Sequence, residues 1–190
     1  ETSLDALLTY QAYAGDTAQV EYLLARAYYE TGKTQKALQT ITVVLTENKN
    51  DINALTLRGE ISISQGEFES AEADFDAALR VDSRSFDALI GKARCLLAKT
   101  FAGAAYNILE KAEVQAETPA QQAEFLYWRA VALVGLDEFN AAIRDYEDLL
   151  GLPTSVVSAE MRTTAQVEYS ALVTTTATLR PTVTANWTKT

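Results

Sequence analysis

Residues Leu55 to Arg80 read LTLRGEISISQGEFESAEADFDAALR, and this stretch decides the fold. Two helical patterns meet at Gln65-Gly66-Glu67, where a glycine between polar residues interrupts the period. Gly59 in the first pattern and Ala71 in the second are small enough for two helices to cross closely there. Phe75 follows Ala71 by one helical turn, on the same face.

The unit recurs along the chain. Ala25, Gly59 and Ala93 are spaced by 34 residues, as are Ala37, Ala71 and Ala105. Ile41, Phe75 and Leu109 repeat at the same distance, and so do Gly32 and Gly66. A fourth copy follows an insertion of three residues, with Ala130, Ala142 and Tyr146 lying 37 beyond Ala93, Ala105 and Leu109.

A period of 34 residues with small, small and large apolar marks resembles the tetratricopeptide repeat, TPR. The marks are Leu24, Ala25, Tyr28, Gly32, Ala37 and Ile41 in the first copy, and Gly59, Gly66, Phe68, Ala71, Phe75 and Ala78 in the second. The third has Ala93, Leu96, Ala105, Leu109 and Ala112, with Thr100 where the turn glycine is expected. The fourth has Ala130, Leu133, Phe139, Ala142 and Tyr146, closed by Pro153. No copy carries the family's early Trp; Glu21, Leu55, Leu89 and Leu126 stand there. The resemblance implies an all-α fold, a right-handed solenoid of antiparallel helix pairs.

The expected helices run from Thr17 to Thr31 and Thr34 to Glu47, then Asp51 to Gln65 and Glu67 to Val81. The third pair spans Phe86 to Ala98 and Ala102 to Gln115, the fourth Ala120 to Val134 and Glu138 to Leu150. Asp16 is a candidate cap for the first of them, and Thr118 with Pro119 opens the fourth repeat. Residues 1–15 read as a half repeat or N-terminal cap, with Leu4, Leu7 and Leu8 on one face. Residues 16–153 hold the four repeats. A helix over 154–173 covers the last repeat's apolar face, as the end of a solenoid requires. Residues 174–190 are Thr-rich and β-branched, and Val183, Ala185 and Trp187 alternate with polar residues. That period predicts an extended tail, with Leu179, Val183 and Trp187 as its docking side chains.

The formal charge is −10 and there is no histidine. No basic stripe offers itself to nucleic acid, and no apolar run is long enough to insert in a membrane. Cys95, the single cysteine, reads as a small buried thiol in a helix. Without histidine or further cysteine, neither a metal site nor an activated thiol is expected, and no cofactor motif is present. Glu67, Glu69, Glu72, Asp74 and Asp76 cluster at a helix start, where acidic residues favour the dipole. They are read as structural, so no catalytic residue is expected. The start at Glu1, the Thr-rich end and the glycan-acceptor pattern Asn186-Trp187-Thr188 lean toward an extracytoplasmic location.

In the family the first helix of each pair lines a groove. The resemblance therefore implies a groove of Tyr22, Arg26, Tyr29, Ile63, Ile90, Arg94, Leu97 and Tyr127, binding a protein or peptide segment. Tyr and Arg are frequent interface anchors, although Tyr22, Tyr29 and Tyr127 equally suit packing between neighbouring helices. Chaperone-binding relatives hold a peptide carboxylate with Lys and Asn; Tyr22 and Arg26 stand at the first two of those places, so an apolar segment fits better. The rival expectation is a structural subunit, a homo-oligomer or filament joined head to tail through the C-terminal tail.

Overall fold

The structure, a computed structural model, describes residues 5–9 and 17–179. Every regular element among these residues is a helix. The chain divides into two compact units, Glu1–Ala116 and Glu117–Thr190. The division falls at the three-residue insertion that interrupts the sequence period.

The first unit holds three helix pairs: α1 (Ala18–Glu30) with α2 (Thr34–Glu47), α3 (Ile52–Ser64) with α4 (Phe68–Val81), and α5 (Phe86–Ala98) with α6 (Ala102–Glu113). Each second helix also packs on the first helix of the next pair, and α3 touches both α1 and α5. Thr17, rather than Asp16, caps α1 by accepting the Val20 N–H at 3.3 Å. Asp51 caps α3 through the Ala54 N–H at 2.9 Å. A cap of this kind satisfies one of the donors that a helix start leaves unpaired. Residues 5–9 form a helical turn, and Leu7 packs against Val20, Leu24 and Ala27.

One turn type joins both helices of every pair. Lys33 N–H donates to the Tyr28 carbonyl at 2.8 Å and Gly32 N–H to that of Tyr29 at 2.9 Å. The same two bonds recur from Glu67 to Ser62 and Gly66 to Ile63, and from Phe101 to Leu96 and Thr100 to Leu97. This is the Schellman ending, whose penultimate residue must be left-handed. Gly32 and Gly66 supply it with φ of 74° and 77°, while Thr100 is forced to 64° without a glycine's freedom.

The core of the first unit centres on Phe75, which is fully buried. Its ring faces two glycines of different helices. A Cβ on Gly59 of α3 would lie 2.7 Å from the ring tip, and one on Gly91 of α5 only 2.3 Å away. Gly59 was legible as a crossing point; Gly91 is the second half of the same seat. Ala71, in the register beside it, is likewise fully buried. Cys95 is buried as expected, and burial pushes its thiol up to about 11.

Asp74 departs from the expectation for its acidic cluster. It is 7% exposed and receives two parallel bonds from Arg58, at 2.8 and 2.6 Å. The carboxylate thus clips α4 to α3, and the fork geometry of Arg matches its two oxygens. The bond to Asp74 raises the Arg58 pKa further, keeping the guanidinium charged.

The second unit contains α7 (Pro119–Val134), α8 (Phe139–Gly151) and α9 (Ala159–Leu179). Thr118 and Gln121 form the capping box ahead of α7, with Pro119 in its first turn. The Schellman bonds reappear from Glu138 to Leu133 and Asp137 to Val134, with Asp137 at φ 61°. Arg129 clips Asp145 at 2.7 and 2.8 Å, in the register of Arg58 and Asp74, and also lies 4.5 Å over the Phe125 ring.

The last helix differs from expectation at both ends. It starts at Ala159, where Ser158 accepts the Met161 N–H at 3.1 Å, and it continues to Leu179. Residues 174–179 are therefore helical, not extended. Thr174, Thr175 and Thr176 each donate a hydroxyl hydrogen bond to the carbonyl one turn back, at 2.8 to 2.9 Å. Those bonds satisfy the side chains locally, and β-branching alone does not end the helix. Ala165 is fully buried, and Met161, Glu168, Tyr169 and Leu172 are half-buried beside it on the face that packs on α8. Val183 and Trp187, the tail's expected docking side chains, lie outside the described residues.

Candidate interaction surface

In the first unit, the first helices of the three pairs share one face, and side chains tie them across it. Tyr29 of α1 donates its hydroxyl to the Glu60 carbonyl of α3 at 3.4 Å. Arg94 of α5 places one guanidinium nitrogen 2.7 and 2.6 Å from the two Glu60 carboxylate oxygens. Glu60 and Arg94 are one repeat period apart, so the ion pair links equivalent places on adjacent repeats. Glu60 stands at a groove position in the register that the family resemblance implies.

The expected groove residues fall into distinct environments. Tyr22, Tyr29 and Ile63 are half-buried and pack against the core from this face, and Leu97 is half-buried one turn beyond Arg94. Arg26 is exposed and reaches back to Glu30 of its own helix at 3.0 Å. Its pKa is raised first by that bond and then by Tyr22 beside it. Such an exposed pair contributes only about 0.3–0.5 kcal/mol, so the Arg26 head is readily given up to another partner. Ile90 is a correction. At 2% exposure it belongs to the core, because α5 buries residues around most of its circumference and periodicity alone cannot tell its faces apart.

Tyr127 occupies the matching register in the second unit. Its ring stands edge-on to Trp128 at 4.9 Å and to Tyr146 at 6.3 Å between centroids. Tyr146, 1% exposed, donates its hydroxyl to Glu168 at 2.5 Å. Burial, with Glu168 beside it, pushes the Tyr127 phenol up to about 12, and burial raises Tyr146 further still. Val131, Val134, Tyr146, Glu168, Ala171 and Leu172 line a small, mostly apolar cavity of about 230 Å³. Tyr127 thus packs within its own helix pair, against Trp128 and Tyr146.

Residues 57–121 match the family profile described as the tetratricopeptide repeat. The match covers about a third of the chain, and the all-helical fold is that of a tetratricopeptide-repeat solenoid. Solved structures of TPR proteins share the fold. One is TTC0263, a thermophilic TPR protein of Thermus thermophilus, at 15% identity and a TM-score of 0.71 over 90% of this chain and 89% of that one. Another is pilF of Pseudomonas aeruginosa, at 16% identity and a TM-score of 0.71 over 84% and 69% of the two chains. A third is YrrB, described as a TPR protein with an unusual peptide-binding site, at 13% identity and a TM-score of 0.65 over 94% and 87%. No curated protein matches by sequence. The TPR fold supports the role of a protein-interaction scaffold. Among the described residues, no helix is long and apolar enough to cross a membrane.

Proposed function

We propose that the first unit is a non-enzymatic scaffold that holds a peptide segment of another protein across the shared face of α1, α3 and α5. The observation that carries this reading is the row Tyr29–Glu60–Arg94, which fixes three helices side by side with half-buried Tyr22, Ile63 and Leu97 along it. Aromatic and aliphatic side chains that are already partly ordered lose little entropy when a segment covers them, and that favours binding. Tyr and Arg at the margin, Tyr22 with Arg26, add anchors of the kind that dominate interfaces. The peptide-binding site described for YrrB, a protein of the same fold, is consistent with such a role.

The test is selection of short random peptides displayed on phage against the immobilised chain, followed by affinity measurement on Tyr22→Ala/Arg26→Ala. Binders that use this face should lose at least about tenfold in affinity, with helicity unchanged by circular dichroism. Binders unaffected by the double substitution place the site elsewhere.

A further inference from the structure

The repeats serve as controls for one another, and the third departs from the second and fourth at one telling place. Where those two carry the clips Arg58–Asp74 and Arg129–Asp145, the third has Lys92 and Ile108. Without a carboxylate across from it, Lys92 turns to Asp76 of α4 at 2.5 Å. A cavity of about 370 Å³ opens there, with Leu79, Leu89 and Ile108 in its wall and Arg80, Lys92 and Lys111 among its polar lining. Arg80 and Lys111 are exposed and have no ion-pair partner among the described residues. Three cations therefore face one carboxylate, on a chain whose formal charge is −10. Arg80 and Lys111 each lie in the last turn of a helix, where the dipole favours a cation. That accounts for their charge, but not for the missing carboxylate or the apolar wall.

We propose that this cavity is a second interaction site, which takes an acidic side chain flanked by an apolar residue from a partner protein's peptide segment. The partner carboxylate would replace the one that Ile108 removes, and the apolar neighbour would cover Leu79 and Ile108. Charge complementarity of this kind chooses partners and speeds encounter more than it adds affinity. The site is distinct from the face proposed above. Lys92 lies two residues from both Ile90 and Arg94, which puts it on the other side of α5 from Arg94.

The experiment selects displayed random peptides on the full chain, with Arg80→Glu/Lys111→Glu as the counter-selecting protein. Both substitutions are on exposed side chains and leave the core untouched. The expected result is a class of binders enriched in Asp or Glu beside Leu, Ile or Phe. These should lose at least about tenfold in affinity on the charge-reversed chain and keep it on Tyr22→Ala/Arg26→Ala. Lys92→Arg/Ile108→Asp, which rebuilds the clip of the second repeat, should weaken the same binders. The proposal is overturned if no acidic–apolar class is enriched, or if that class binds the charge-reversed chain equally well. It is also overturned if inorganic phosphate alone competes fully, since the pocket would then take small anions instead of peptide.

Discussion

The ring of Phe75 on α4 lies so close to Gly91 on α5 that a methyl group there would come within 2.3 Å of it. The same ring also covers Gly59 on α3, so one aromatic side chain is the contact through which three helices of the first unit fit together. The neighbouring repeats place Ile41 and Leu109 in this register, and the larger ring is accommodated because two side chains are reduced to hydrogen. Gly91→Ala would gain about 1 kcal/mol of helix propensity if packing did not matter. Phe75 is sealed in the core, so overpacking should win, with a net loss of about 1–3 kcal/mol in urea unfolding. Phe75→Leu in the same chain should recover part of that loss. A Gly91→Ala protein as stable as the parent would show that the ring has room to move.

Thr100 gives a prediction of opposite sign. It holds the left-handed position of a Schellman turn at φ 64°, where Gly32 and Gly66 stand in the preceding repeats. A non-glycine residue costs about 1–2 kcal/mol in that region, against about 0.4–1 kcal/mol of extra unfolded-chain entropy for glycine. Thr100→Gly should therefore stabilise the protein by up to about 1 kcal/mol, read as a higher urea midpoint at unchanged slope. Asp137→Gly should gain less, since Asp tolerates this conformation better than a β-branched residue. A lower midpoint for Thr100→Gly would mean that the Thr side chain contributes a contact that outweighs the strain.

The reach of the sequence follows from these cases. Period and small-residue register identify the helix pairs because crossing helices leave little choice at Gly59, Ala71 and Ala105. The left-handed turn at Thr100 is legible only through its repeat partners, since the backbone bonds of the motif impose the conformation on whatever residue is there. The Arg58–Asp74 clip was hidden because an acidic residue in a helix normally faces water. Only the recurrence of the same pair at Arg129 and Asp145 could have marked it. The C-terminal threonines misled for a different reason. β-Branched residues favour strands in the absence of contacts, whereas here α9 is anchored on α8 through Ala165 and its neighbours and carries the threonines with it.

Alkaline titration should separate the tyrosines of the second unit from the exposed ones. Tyr127 is pushed up to about 12 from the ordinary 10, first by burial and then by Glu168, and Tyr146 is raised by the same causes. A phenol whose folded pKa is raised favours the folded state fully below pH 10. That contribution is lost as pH climbs through about 12. Tyrosinate absorbance should therefore appear in two stages, the later one coinciding with loss of helicity. Glu168→Gln should bring the late stage down only in part, because burial is the larger cause. A single stage near pH 10 for every tyrosine would contradict the packing described for Tyr127 and Tyr146.

Arg162 on α9 donates from its two terminal nitrogens to the carbonyls of Leu150 and Leu152, at 2.7 and 2.6 Å. These carbonyls lie at the end of α8, where a helix leaves acceptors unpaired and its dipole favours a positive charge. A single side chain therefore closes one helix and fixes the start of the next. Arg162→Ala removes two charge-assisted bonds from a half-buried site, and a loss of about 2 kcal/mol is expected. Arg162→Lys should recover part of it, because an ammonium lacks the fork that reaches both carbonyls together. The effect should be local. Hydrogen exchange of α9 amides should quicken in Arg162→Ala, while the amides of α1 to α6 keep their rates. Equal protection of α9 in the variant and the parent would show that Ala165 and its apolar neighbours hold the helix unaided. Faster exchange throughout the chain would instead mean that the two units unfold as one.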